Sequence, residues 1–87
     1  MSFSGYSDSG QTEDRIGVTV TLWEQQGSSW VSVDSKSKEL RNTDYVEVAG
    51  NKIVDGGHYY KVTALHTSTK NGVSYSSSSE TPKRWIP

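Results

Sequence analysis

The chain is expected to fold as one small all-β domain spanning residues 1–87, an antiparallel β-sandwich of six to seven strands. Three observations point there. No segment carries apolar residues at helical spacing, whereas residues 16–24 and 58–68 alternate apolar and polar side chains with a period of two. Turn signals recur between such stretches, at Gly27-Ser28, Ala49-Gly50-Asn51, Gly56-Gly57 and Asn71-Gly72. The composition also suits pleated surfaces: only 31% of residues are hydrophobic, and Ser, Thr and Gly fill the difference.

Taken in order, residues 2–6 read as a short strand whose apolar content is Phe3 and Tyr6, and residues 7–15 as a polar loop. Residues 16–24 form a clear strand, with Ile16, Val18, Val20 and Leu22 inward and Thr19, Thr21 and Trp23 outward. The stretch Gln25-Gln26-Gly27-Ser28 closes a hairpin onto a return strand at residues 30–34, where Val31 and Val33 oppose Trp30 and Ser32. Residues 35–43 are polar and read as a loop or frayed edge, followed by a strand at residues 45–48 with Val46 and Val48 on one face. Ile53 and Val54 lie between turn signals and are expected to plug the core from a loop. The strand at residues 58–68 is the central one, with Tyr60, Val62 and Ala64 inward and Tyr59, Lys61 and Thr63 outward. After the Lys70-Asn71-Gly72 turn, residues 73–79 pair back as a polar edge, and residues 81–86 form a last edge segment broken by Pro82.

The bulk properties narrow the function. A net charge of −1 provides no field that would gather nucleic acid or an anionic membrane. No apolar run is long enough to insert in a bilayer. The absence of cysteine in so small a domain argues against a eukaryotic secreted origin and fits a cytosolic or an exported bacterial protein. The first residues lack the basic and apolar regions of a signal peptide, so any leader for export is not in this stretch.

The succession Val18-Thr19-Val20-Thr21-Leu22, Ser29-Trp30-Val31-Ser32-Val33, Tyr45-Val46-Glu47-Val48 and Gly57 to Ala64 looks like the second half of a fibronectin type III domain, within the wider immunoglobulin-like class. That resemblance implies a sandwich in which Tyr60 is a tyrosine-corner residue, its hydroxyl bonded to upstream backbone. The chain departs from the pattern at its front, where only residues 2–6 stand in for two strands. The whole chain is more closely similar to small, cysteine-poor exported proteins of Gram-positive bacteria of unknown function. The similarity is carried by Gly5-Tyr6, Asp14-Arg15-Ile16, Leu22, Gly27-Ser28-Ser29-Trp30, Gly57 to Val62, His66-Thr67, Lys70 to Val73 and Ile86-Pro87. It implies secretion or display on a bacterial surface, and no mechanism.

Candidate chemistry is sparse. His58 and His66 lie eight residues apart on one strand, roughly 26 Å, which is too far for a shared metal, and both read as surface or loop-mouth histidines. Fifteen serines make a chance Ser–His pair easy to find, and no glycine-flanked nucleophile elbow occurs. Asp34, Asp44, Glu47 and Asp55 read as turn or surface acids rather than a facing catalytic pair. The expectation is therefore a protein without catalysis, cofactor or metal. Trp23 and Tyr59 share outward parity with Thr19, Thr21, Lys61 and Thr63, and flat rings beside hydroxyls are the ingredients of a carbohydrate-binding platform. The same rings would equally serve as cross-strand pairs that stabilise a thin sheet. Residues 73–79 carry no charge, so this edge is open to association with another sheet. The expected role is an exported or surface binding module for a protein or glycan, with a self-associating fibre or matrix subunit as the alternative. On this parity Lys61→Ala should do little to stability.

Overall fold

The computed structural model describes residues 1–87 and is all-β, with five antiparallel strands in one hydrogen-bonded sheet. The strands are β1 (Ser2–Gln26), β2 (Ser29–Asn51), β3 (His58–Lys70), β4 (Val73–Glu80) and β5 (Arg84–Ile86). Their order is β2-β1-β3-β4, and β5 continues along the β3 edge where β4 leaves off, pairing Tyr59 with Trp85.

Five strands replace the six to seven expected because two expected loops are strand. Residues 7–15 belong to β1 and residues 35–43 to β2, so four short strands become two long ones. Their polar side chains give no alternation to read, yet their backbones pair across the hairpin: Ser7 and Asp8 with Val46 and Tyr45, and residues 35–43 with β1 from Glu13 opposite Thr43 to Thr21 opposite Ser35. This stretch of β2 is a sheet edge, and Lys36, Lys38, Glu39 and Arg41 guard it with charge.

The β1–β2 hairpin does not stay flat. Between Asp8 and Glu13 its register shifts, with four β1 residues set against the single Asp44 of β2, and such a bulge bends a strand pair. Beyond the bend, residues 2–8 and 45–51 fold back across the inner face of the sheet. A Cβ added to Gly5 would lie 2.5 Å from Val20 Cγ1 and 3.6 Å from Ala64 Cβ, and the Ser7 hydroxyl donates to the Gly17 carbonyl at 2.9 Å. Phe3 and Val46 from this arm close over Ile16, Val18, Val20, Leu22, Tyr60 and Ala64 to complete the buried core.

The inward row Ile16, Val18, Val20 and Leu22 is buried as the alternation requires, and so are Tyr60 and Ala64, with Val62 half-buried. Ile53 is the exception. It is 96% exposed, and Val54 alone of that pair packs against the core. No strand pairing holds residues 52–57 against the sheet, so the segment turns one side chain in and the other out. Both tight turns form where glycine allows them: Asn71 (φ 51°) and Gly72 (φ 78°) link β3 to β4, and Gly27 (φ 64°) links β1 to β2.

Tyr60 is fully buried, and its hydroxyl donates to the Asp55 carbonyl five residues upstream at 2.6 Å, with Glu24 Oε2 at 3.2 Å. Burial raises the pKa of this phenol above the ordinary tyrosine value of about 10, and the Glu24 carboxylate adds to the shift. Above that value the unfolded chain releases a proton that the folded chain still holds. The stability contributed by Tyr60 is therefore complete below pH about 10 and is lost as pH rises through the folded value. Tyr60→Phe is expected to flatten the fall in stability above pH 10, measured by denaturant titration at stepped pH. An unchanged alkaline slope would refute the assignment.

Candidate functional site

Two surfaces gather the candidate residues, one on each face of the sheet. On the outer face the antiparallel register places the six expected residues together. Thr19, Thr21 and Trp23 of β1 stand opposite Leu65, Thr63 and Lys61 of β3, and Tyr59 lies further along the same β3 face, paired with Trp85. Across β1, Gln25 stands opposite Trp30 of β2. All three tryptophans therefore lie on this face, and the buried core contains no tryptophan.

The outer rings are tied to their neighbours. Trp23 Nε1–H donates to Thr63 Oγ1 at 2.8 Å, and Thr21 Oγ1 meets Ser35 Oγ at 3.3 Å. The Lys61 ammonium sits 4.5 Å from the centre of the Trp30 ring and 3.3 Å from Glu80 Oε2. Lys61 is thus a held cation, not the free surface lysine its parity predicts. Tyr59 packs edge-on to Trp85 with ring centres 5.0 Å apart, and Lys83 covers the Tyr59 face at 4.5 Å. Cation–π contacts at exposed sites are worth about 0.5–1 kcal/mol. A ligand ring stacking on the same face can displace Lys83 at that cost, whereas Lys61 is also held by Glu80. Trp85 is 51% exposed and offers the most open surface.

The second surface was not read from the sequence. The folded-back arm covers β1 and β3 but stops short of β4, whose residues are all exposed. An open groove of about 850 Å³ remains between residues 4–9 of the arm and the inner face of β3 and β4. His66 lies in its floor, bridging Ser7 Oγ through Nδ1 and Ser79 Oγ through Nε2, both at 2.9 Å. Ser7 has one hydroxyl hydrogen and gives it to Gly17, so Nδ1 of His66 is the donor in its contact with Ser7. In the tautomer with its hydrogen on Nδ1, Nε2 accepts from Ser79. This order aims a base at a hydroxyl, but the group behind the imidazole is the neutral Ser7 rather than a carboxylate. The available signal for His66 was its parity: it shares the even, inward face with Tyr60, Val62 and Ala64.

Tyr6 and Tyr45 stack at 5.8 Å on the outside of the arm, and the Tyr45 hydroxyl donates to Glu47 Oε2 at 3.0 Å. That bond, with the neighbouring negative charge, raises the pKa of the Tyr45 phenol. In comparisons with known proteins, no family model, curated protein or solved structure matches the chain.

Proposed function

We propose that this protein is a non-enzymatic binding module, exported or displayed on a bacterial surface, that presents its outer sheet face to a glycan or protein ligand. The observation that carries the reading is the placement of Trp23, Trp30, Trp85 and Tyr59 on one face of a sheet whose core is built from aliphatic residues, Phe3 and Tyr60. Trp85 and Tyr59 are left exposed here and Trp23 and Trp30 only half-buried, where a small domain short of hydrophobic residues gains more by full burial unless the face has a use. Rings set among Thr19, Thr21, Lys61 and Thr63 combine stacking surfaces with hydrogen-bonding groups, as saccharide recognition requires. The folded-back arm and the Tyr60–Asp55 bond support a two-layered, sandwich-like domain of the immunoglobulin or fibronectin type III kind.

Glycan-array binding, repeated with Trp23→Ala and Tyr59→Ala, tests the face. Each substitution is expected to weaken a detected ligand by about tenfold, the loss of roughly 1.4 kcal/mol of stacking. A ligand bound equally well by both variants rules the face out.

The exposed β4 edge favours a second reading, a self-associating subunit, because residues 73–79 carry no charge while the opposite edge is guarded. Light scattering across a concentration series separates the two, since an edge-joined subunit grows in mass and a binding module does not.

A further inference from the structure

The groove on the inner face is bounded by an unpaired strand edge. Residues 2–8 of β1 pair with β2 on one side only, and no strand pairs the other side of this segment. The free groups can be identified. Met1 and Lys52 exchange backbone hydrogen bonds in both directions, so the hydrogen-bonded pairs continue as Phe3 with Gly50, Gly5 with Val48 and Ser7 with Val46. Alternation then turns the N–H and C=O groups of Ser4, Tyr6 and Asp8 away from β2 and towards the groove. The floor beneath offers Val62 and Ala64 at one end and the hydroxyls of Ser77 and Ser79 around His66 at the other. The charged residues that line it, Asp8, Glu47 and Glu80, are all acidic, and no lysine or arginine joins them.

We infer that this groove is a slot for an extended, basic peptide segment of a partner protein, which adds as a strand to the free edge of residues 4–8. Three features converge on that occupant. The unpaired alternate amides and carbonyls match the main chain of a strand and supply affinity independent of sequence. The cavity of about 850 Å³ runs along residues 4–9, about 20 Å of extended chain, the span of roughly six residues. The acidic lining selects against acidic strands and favours lysine or arginine on the residues that face outward. Side chains of the added strand that point inward meet Val62, Ala64 and the serine hydroxyls, so small apolar or hydroxyl residues fit there. The slot is on the opposite face from the aromatic surface and does not depend on it.

Amide hydrogen exchange followed by NMR tests this directly, using a short acetylated and amidated peptide of alternating valine and lysine. In the free protein the amides of Ser4, Tyr6 and Asp8 should exchange quickly, and those of Phe3, Gly5 and Ser7 slowly. The valine–lysine peptide should slow the first set by about tenfold or more, and a valine–glutamate peptide should not. Ser4→Pro removes one outward donor at a position where an edge strand tolerates proline. It should keep Gly5 and Ser7 protected while weakening the peptide by about tenfold or more. Protection by both peptides or by neither overturns the proposal, as does unchanged affinity in Ser4→Pro. So does an oligosaccharide that shields the groove while Ser4 and Tyr6 still exchange quickly. Protection that appears without peptide and grows with protein concentration would assign the slot to a second copy of the chain and overturn the proposal as well.

Discussion

Replacing Tyr60 with alanine is expected to remove a large share of the domain's stability. Tyr60 is the largest fully buried side chain, and it lies in the same core cluster as Leu22 and Ile16. Truncating a buried aromatic to alanine costs about 3–5 kcal/mol through lost transfer energy and the cavity left behind. At about 0.05–0.15 kcal/mol per residue, a chain of 87 residues has roughly 4–13 kcal/mol in total. The loss is thus a large share of everything that holds the fold. A second cost adds to it, because the Asp55 carbonyl and the Glu24 carboxylate both lose the phenol they approach. Tyr60→Phe separates the two contributions. It keeps the ring and removes only the hydroxyl, so its cost should be about 1–3 kcal/mol. Urea titration read by far-ultraviolet circular dichroism gives both values, with the midpoint shifted and the slope retained for the phenylalanine variant. An alanine variant within about 1 kcal/mol of the parent would mean that Tyr60 is not at the centre of the core.

Tyr60 also shows how far the residues themselves disclose the fold. Its inward parity, with that of Val62 and Ala64, is visible in the chain because a strand with one covered face must alternate. The same logic reads out Ile16, Val18, Val20 and Leu22. Local pattern fails where pairing, not burial, defines the strand. Residues 35–43 carry Ser, Lys, Glu and Asn with nothing to alternate, yet they are strand because β1 lies beside them and satisfies their backbone. It fails again at Ile53, whose apolar side chain points to solvent because its segment forms no strand pairing and turns Val54, not Ile53, towards the core. The outer aromatic face was legible for the same reason as the core, since parity sorts both faces at once. The groove was not, because it exists only where the folded arm ends short of β4. That is a consequence of the bend at residues 9–12 and of contacts between residues far apart in sequence.

The contact that seats this arm gives the second large effect. Gly5→Val is expected to destabilise by about 1–3 kcal/mol, as overpacking a filled interior does. The reason lies in one approach: the Cβ of any residue at position 5 would come within 2.5 Å of Val20 Cγ1, with Val18 Cγ2 at 3.5 Å. Val20 is fully buried and belongs to a strand paired on both sides, with β2 and with β3, so it has no room to retreat. The arm must lift instead, and lifting it uncovers Phe3 and Val46, which are carried on the same arm. If size at this one contact is the cause, shrinking the partner should relieve it. Val20→Ala alone costs stability by opening a cavity, yet in combination with Gly5→Val the loss should be smaller than the sum of the single losses, by about 0.5–3 kcal/mol. Strict additivity in that double-mutant cycle would separate Gly5 from Val20. It would also remove the packing reason for the arm to lie where it does, and with it the wall that defines the inner groove.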